Sequence, residues 1–388
     1  MIKIDVSNSD EIKLKHLNGL KGSVSRKLKT EIVNAKNENN KDLERFLQFL
    51  ETEIETILIG RRSELEKIIT KIEKEYYISI NKMEDIKKRV TAAVENTSEK
   101  SKVKSLIKEY VIEYHLNKHL KYKYPSSIEN FIVRLEKLIK KWDGYREILE
   151  RVFSYKNFSE EKVKGWSAYK LVTHLGVGVC PYCNRTYTTT LRKIDKNGKM
   201  TRPELDHYYP KFRYQYLGIS FYNLIPSCSV CNSSLKHTDD FYRNEAIHPY
   251  DEEFLNVATF VTDFDYSSED SYKYLLGYSK DFKIGFEIKT DDAELEKRIK
   301  RSIETFDLER MYNTHQDIVN DLIRNSRIYT KERIEEIKER FPDMFGSEDE
   351  ILDSLFLNYM SPENQGKRPL SKLTQDIYNE LRLKDNIK

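Results

Sequence analysis

Hydrophobic residues recur at helical spacing through the first 165 residues of the chain. Between residues 42 and 57 the apolar positions are separated alternately by four and three residues, which predicts the seam of a helical hairpin or coiled coil. These positions are Leu43, Leu47, Leu50, Ile54 and Ile57. Similar spacing predicts helices over residues 11–36, 81–94, 103–114, 128–142 and 145–155. We therefore expect residues 1–165 to form a helical domain that docks a partner or regulates the rest of the chain.

The pattern changes beyond residue 165. Residues 187–194 and 199–205 flank Asp195-Lys-Asn-Gly198, which is a hairpin signal. Alternation of apolar and polar residues predicts two more strands, at 260–266 and 282–289, and helical spacing returns from residue 291. The predicted fold class is α+β and mostly helical. We expect a central domain over residues 166–250 and a mixed, mainly helical domain over residues 251–388.

Composition limits the possible functions. The chain has 388 residues, and its 67 basic and 64 acidic residues leave a net charge of only +3, so any nucleic-acid binding must come from local patches. Aromatic residues make up 12% of the chain, which argues against extensive disorder. The sequence contains neither an apolar run of about 20 residues nor a visible targeting segment. We therefore expect a cytoplasmic protein that does not span a membrane.

All four cysteines lie in two Cys-x-x-Cys pairs, Cys180 with Cys183 and Cys228 with Cys231. Each pair can hold one ion from a single turn, and two pairs together make the tetrahedral sulfur site that suits zinc. The alternatives are two disulfides or redox-active pairs. No secretory signal and no thioredoxin-like pattern surround the pairs, which favours zinc. A zinc ion held by four sulfurs has no open position, so its role would be structural.

Between and after the cysteine pairs lie Asp206, His207, Asn223 and Asn232, in the order strand, loop, strand, helix. This region resembles the HNH nucleases, also called His-Me finger or ββα-metal nucleases. The resemblance implies that His207 is the general base. It implies that Asp206 and Asn232 bind a catalytic Mg²⁺ or Mn²⁺, and that the amide of Asn223 braces the loop that holds His207.

Basic residues around this region are candidates for contacts with the nucleic-acid backbone, which position a substrate without reading its sequence. They are Lys236, Lys211, Arg185, Arg192, Lys193 and Arg202. Lys236 lies one helical turn beyond Asn232, where it could reach a phosphate.

The motifs therefore predict a metal-dependent HNH endonuclease that cuts DNA. The resemblance to this family implies that its products carry a 5′-phosphate and a 3′-hydroxyl. The cysteine motifs together with Asp206-His207 and Asn223 also resemble bacterial phage-defence nucleases of the Septu and retron-associated types, which work beside an ATPase partner. Two alternatives stay open. One is a zinc-stapled module that binds nucleic acid or organises an assembly without catalysis, and the other is an HNH nuclease that cuts RNA. The residues do not specify the oligomeric state.

Overall fold

The contacts of the chain group into two compact units. In the computed structural model, one unit comprises Met1–Val6, Val172–Asp206 and Ile225–Lys388, and the other comprises Ser7–Leu171 and His207–Leu224. We call the first the cysteine unit and the second the helical unit. Side chains are described up to residue 382, and the backbone is described for residues 1–5, 9–96, 99–120, 127–160, 165–191, 199–255, 257–263, 273, 277–278 and 282–385. The three-domain division stays a prediction.

The helical unit contains most of the helices predicted in the first 165 residues. Its helices are α1 (Ser9–Asn37), α2 (Lys41–Thr52), α3 (Ile54–Ile59), α4 (Arg62–Glu75), α5 (Ile80–Asn96), α6 (Lys100–Glu113), α7 (Leu116–His119), α8 (Ile128–Val152) and α9 (Tyr155–Ser159). The seam predicted between residues 42 and 57 is confirmed as a packing surface, because all five of its side chains are buried. Asn40 caps α2 by accepting a hydrogen bond from the backbone N–H of Leu43.

Helix α8 corrects one prediction. The sequence pattern predicted separate helices at 128–142 and 145–155, but α8 continues through Gly144 to Val152. Trp142, Tyr145 and Leu149 are buried along α8 at helical spacing, so packing on this face outweighs the low helix propensity of the single glycine. A new short helix, α9, begins after Ser154, whose side chain accepts from the backbone N–H of Asn157.

The remaining part of the helical unit is the segment His207–Leu224, which contains two short 3₁₀ helices, Gln215–Leu217 and Phe221–Asn223. Gly218 lies between them at a point of close packing. A Cβ atom there would lie 3.1 Å from the carbonyl oxygen of Gln215 and 3.2 Å from that of Phe153. Glycine is therefore required here by the approach of neighbouring backbone.

The remaining elements are small sheets and helices, and most of their residues belong to the cysteine unit. Strand β1 (Glu204–His207) pairs with β2 (Leu224–Ser227), and β3 (Ala258–Asp263) pairs with β4 (Lys283–Ile288). Helix α10 (Ala168–Leu175) precedes the first cysteine pair, and a π-helix, Val230–Lys236, includes Cys231. The later helices are α11 (Ala293–Thr305), α12 (Leu308–Tyr312), α13 (Gln316–Ile328), α14 (Lys331–Arg340), α15 (Glu348–Leu355) and α16 (Ser371–Asp385), with 3₁₀ turns at Asn313–His315 and Pro362–Asn364.

Both predicted strand pairs have counterparts in the described residues. Strands β3 and β4 are antiparallel with Phe260 opposite Phe286, and the predicted residues 264–266 lie outside the described range. The arms of the first hairpin meet at an antiparallel bridge between Leu191 and Thr201. Its turn, Asp195–Gly198, lies outside the described residues.

The prediction of a mostly helical α+β fold is confirmed, because helices dominate and the described sheets have two strands each. Within the described part of the chain, no helix combines the length and the apolar character needed to cross a membrane.

Candidate functional site

The four cysteines form one buried cluster. All of their sulfur atoms lie within 4.8 Å of one another, and the Sγ atoms of Cys183 and Cys228 are 3.9 Å apart. Zinc–sulfur bonds of about 2.3 Å in a regular tetrahedron would separate the sulfurs by about 3.8 Å. All four thiols are free, so the disulfide alternative does not describe this structure. The cluster has the composition and spacing of a structural zinc site.

Backbone amides support the sulfur atoms. The N–H of Arg185 donates to Sγ of Cys183 at 3.4 Å, and the N–H of Cys231 donates to Sγ of Cys228 at 3.5 Å. Tyr312 donates its hydroxyl hydrogen to the carbonyl oxygen of Cys183 at 2.5 Å. These bonds hold each Cys-x-x-Cys turn in a shape that directs both of its sulfurs inward.

The electrostatics of the cluster also favour a cation. Hydrogen bonding from Cys180 lowers the pKa of Cys183 and of Cys228. Burial raises the pKa of Cys180, and hydrogen bonding with Cys180 raises the pKa of Cys231. Four buried thiolates at these distances repel one another, so only some of the thiols can ionise unaided. A divalent cation removes this repulsion and allows all four to act as thiolate ligands.

Strand β1 faces the π-helix through two carboxylates. Glu204 and Asp206 are two residues apart, and such residues share one face of a strand. Glu204 Oε2 accepts hydrogen bonds from Asn232 Nδ2 at 2.8 Å and from Ser233 Oγ at 2.7 Å. The sequence analysis missed Glu204, although the two-residue period of a strand places it beside Asp206.

Asp206 is engaged with two other side chains. Its Oδ1 accepts from Lys236 Nζ at 2.9 Å, and its Oδ2 accepts from the hydroxyl of Tyr182 at 2.5 Å. The side chains of Asp206 and Lys236 are each only 2% exposed. Asp206 and Asn232 are the predicted ligands of a divalent cation, and both have protein partners. Asp206 contacts Lys236 and Tyr182, and Asn232 contacts Glu204. Among the described residues, the cysteines are the one group of three or more His, Cys, Asp or Glu placed to hold a metal.

His207 lies in the helical unit. Its Nε2 is 2.9 Å from the carbonyl oxygen of Gly218. Because a carbonyl oxygen only accepts, Nε2 carries a hydrogen and donates it. The ring of Tyr155 meets the imidazole edge to face at 4.6 Å. These two contacts fix the orientation of the His207 ring.

The side chain of Asn223 bridges the loop that contains the carbonyl oxygen of Gly218. Its Oδ1 accepts from the N–H of Tyr209 at 2.7 Å, and its Nδ2 donates to the carbonyl oxygens of Tyr209 at 3.1 Å and Leu217 at 2.8 Å. Asn223 is fully buried. Its side chain therefore ties the backbone after His207 to the residue immediately before Gly218.

A second support for this loop was not predicted. His16, on α1, contacts the carbonyl oxygen of Ile219 through Nε2 at 2.8 Å. Trp166 donates its indole N–H to Nδ1 of His16 at 3.0 Å. Burial lowers the pKa of His16 to about 4, so the ring is neutral at pH 7. A lone histidine in an amphipathic helix carries no sequence signal for this role.

The predicted phosphate contacts differ in accessibility. Lys211 is exposed, and its ammonium lies 4.6 Å from the centre of the Tyr155 ring, the same ring that contacts His207. The Lys211 side chain is nevertheless partly shielded from water, and this partial desolvation of the ammonium lowers the pKa of Lys211. Lys236 is buried against Asp206. Arg202 donates to the carbonyl oxygen of Pro203 at 2.8 Å.

Arg185 makes contacts within the protein. Its Nε donates to Nε2 of His315 at 2.8 Å, and its guanidinium also contacts the sulfur of Met311 at 2.9 Å. It therefore anchors the first cysteine turn to the region of α12. Arg192 and Lys193 lie outside the described residues. Of the basic candidates within the described residues, Lys211 is exposed, Arg185 and Arg202 are partly buried, and Lys236 is buried.

Comparison of the chain with protein-family models, with curated proteins and with solved structures found no match.

Proposed function

We propose that this chain is a metal-dependent HNH endonuclease that hydrolyses phosphodiester bonds of DNA. The observation that carries the proposal is the side chain of Asn223, which makes three backbone hydrogen bonds in the loop around His207. This is the bracing role that the middle residue of an HNH motif performs. Burying an asparagine side chain costs free energy unless each polar atom of its amide forms a hydrogen bond. An apolar residue would fill the same space without that requirement.

His207 has the part of general base in this proposal. Nδ1 of the neutral imidazole takes a proton from the attacking water, and the carbonyl oxygen of Gly218 keeps the ring oriented through Nε2. The resulting imidazolium is stabilised by the same hydrogen bond, since a charged donor bonds more strongly to a carbonyl oxygen. Lys211, which shares the Tyr155 ring with His207, is positioned to contact substrate phosphate.

Asp206 on β1 and Asn232 on the π-helix are the residues that would hold the catalytic cation, through side-chain oxygens, the donor that Mg²⁺ and Mn²⁺ prefer. The bound cation would supply charge neutralisation at the phosphate and at the leaving oxygen. To hold a cation, Asp206 would have to give up its ion pair with Lys236. The released ammonium would then be available for a phosphate oxygen.

A cleavage assay tests the proposal. The purified chain, with zinc bound, is incubated with supercoiled DNA, linear DNA and RNA in Mg²⁺ or Mn²⁺. We expect cutting of DNA that requires the added cation and that His207→Ala abolishes while zinc content and circular dichroism are unchanged. His174→Ala, at an exposed histidine on α10, is the matched control and should cut normally. Cutting by His207→Ala at the wild-type rate would refute the assignment of the base.

Some features favour a non-catalytic, zinc-stapled module that binds nucleic acid or organises an assembly. Asp206 forms a buried ion pair with Lys236, and Arg185 is engaged with His315, so both also serve the structure. A wild-type protein that binds DNA but never cuts it, with or without a candidate partner, would establish this function instead. Preference for RNA in the same assay would establish the RNA-cleaving alternative.

We further propose that the nuclease acts in bacterial phage defence beside an ATPase, because its motifs resemble those of the Septu and retron-associated nucleases. Expression in a bacterial host with a candidate ATPase should reduce phage plating, and His207→Ala should remove that protection. Equal protection by the two proteins would show that cleavage by this chain is not the defence activity.

A further inference from the structure

One aromatic ring of the helical unit contacts both His207 and Lys211. The ring belongs to Tyr155, the first residue of α9. Its centre lies 4.6 Å from the centre of the His207 imidazole, and the planes of the two rings meet at 78°. The ammonium of Lys211 lies over the Tyr155 ring, also 4.6 Å from its centre. The ammonium is therefore no more than twice 4.6 Å from the centre of the imidazole.

The position of Tyr155 is fixed by the residues on either side of it. Before it, the carbonyl oxygen of Phe153 lies so close to Gly218 that a Cβ atom on Gly218 would be 3.2 Å away. Gly218 is also the residue whose carbonyl oxygen accepts a hydrogen bond from His207. After Tyr155, the side chain of Phe158 is buried. The backbone that carries Tyr155 therefore packs directly against the loop that orients His207.

The ammonium of Lys211 is available to an anion. Lys211 is exposed, and the desolvation that lowers its pKa is not offset by any acidic group of the described residues. An aromatic face attracts an ammonium electrostatically and leaves N–H donors free for another partner. A phosphate oxygen is a suitable partner, because a negative charge favours the ammonium that partial desolvation disfavours. Lys236, in contrast, is already paired with Asp206.

We propose that Tyr155 is a positioning residue that holds the ammonium of Lys211 beside His207, so that both side chains act on the phosphate that is cut. The inference rests on the nuclease function proposed above and specifies where Lys211 would meet the DNA. A water bound to the imidazole and a phosphate oxygen bound to the ammonium would each occupy about 2.8 Å of the distance between the two side chains. The remainder is enough for one phosphate group.

Steady-state cleavage of a DNA duplex by the zinc-bound chain tests the role of Lys211. Lys211→Met should lower kcat at least about tenfold, because an ammonium beside the scissile phosphate stabilises the charge that develops there in the transition state. It should change KM less than about threefold. Lys71→Met is the matched control and should cut normally, since Lys71 is also exposed and lies 4.6 Å from the centre of the Phe49 ring. A change confined to KM would place Lys211 at a flanking phosphate and overturn the proposal.

The role of Tyr155 is tested with and without Lys211. Tyr155→Leu should lower kcat at least as much as Lys211→Met, whereas Tyr155→Phe keeps the ring and should cut within about twofold of the wild type. Adding Lys211→Met to Tyr155→Leu should lower kcat less than about threefold further, because the ammonium has already lost its support. An equal effect of Lys211→Met in both backgrounds would show that the ring does not position Lys211. Zinc content and the unfolding midpoint are measured for each variant, and Tyr155→Met replaces Tyr155→Leu if the latter is unfolded.

The outcomes distinguish this inference from the proposed nuclease. If the wild type cuts DNA and both Lys211→Met and Tyr155→Leu keep its kcat, the inference is wrong and the nuclease stands. If the wild type cuts neither DNA nor RNA in Mg²⁺ or Mn²⁺, the nuclease proposal fails and the inference fails with it.

Discussion

Trp166 donates its indole N–H to Nδ1 of His16 across 3.0 Å, and the opposite nitrogen of the same imidazole contacts the carbonyl oxygen of Ile219. Both bonds are possible at once only for the neutral ring, because a protonated imidazole has no acceptor nitrogen. His16 therefore stabilises the loop beside Gly218 only while it is uncharged.

This relationship predicts a dependence of stability on pH. Burial lowers the pKa of His16 from 6.5 to about 4, so between these values the unfolded chain binds a proton that the folded chain does not. The contribution of His16 to the free energy of unfolding is fully present above pH 6.5 and is lost as the pH falls towards 4. We expect a loss of about 3 kcal/mol over this range.

Urea unfolding at pH 7 and pH 4.5, followed by tryptophan fluorescence, measures this effect. His16→Gln is the control, because it keeps a polar side chain but does not titrate. The wild type should lose more stability than His16→Gln on acidification. Equal losses would show that His16 does not contribute to the pH dependence.

Cys180→Ser should remove zinc and destabilise the cysteine unit. Three remaining sulfurs and a hydroxyl bind zinc poorly, and loss of a structural metal is among the largest effects that a single substitution can have, about 4 kcal/mol or more. Zinc content by atomic absorption and melting by circular dichroism provide the measurements. His207→Ala should keep one zinc per chain and its fold. A Cys180→Ser protein that stayed folded and active would contradict the structural role of the cluster.

Asn223→Ala should destabilise the helical unit and also reduce cutting. The substitution leaves the N–H and carbonyl groups of Tyr209 without the partners that Asn223 provides, and each unsatisfied buried group costs about 1–3 kcal/mol. We expect a total loss of about 2–4 kcal/mol in urea unfolding. Asn117→Ala, at an exposed asparagine, is the control and should lie within about 0.5 kcal/mol of the wild type.

Local features of the sequence were enough to predict several parts of the site. The cysteine cluster follows from ligand spacing within two tight turns, and the seam from Leu43 to Ile57 follows from helical periodicity. A helix after the second cysteine pair was expected from the order strand, loop, strand, helix, and the structure has a π-helix over Val230–Lys236. These features depend on residues close together in sequence.

Other parts of the site depend on packing between distant segments, which periodicity does not report. Tyr182 reaches Asp206 from 24 residues away, and Trp166 reaches His16 from 150 residues away. Lys236 was expected near a phosphate but is buried against Asp206, because the sequence does not show whether the lysine of this short helix faces the protein or the solvent. Arg185 was likewise expected at nucleic acid and instead contacts His315.

The Asp206–Lys236 pair provides a test of the exchange on which the proposed nuclease depends. Lys236→Met leaves a buried carboxylate without its counter-ion, which should cost about 3–5 kcal/mol in metal-free buffer. If Asp206 is a cation ligand, Mn²⁺ can replace the missing ammonium. Added Mn²⁺ should therefore raise the melting temperature of Lys236→Met more than that of the wild type, in which Lys236 competes for the same carboxylate.

Lys372→Met is the matched control for this measurement. Lys372 and Asp376 also form a buried pair in the cysteine unit, with 2.8 Å between Nζ and Oδ2 and side chains only 1% and 5% exposed. Lys372→Met should also lose stability but gain nothing from Mn²⁺, because Asp376 is not one of the proposed cation ligands. Equal Mn²⁺ responses in both variants would mean that Asp206 is a structural partner of Lys236 and not a ligand. Recovery confined to Lys236→Met would place the cation at Asp206.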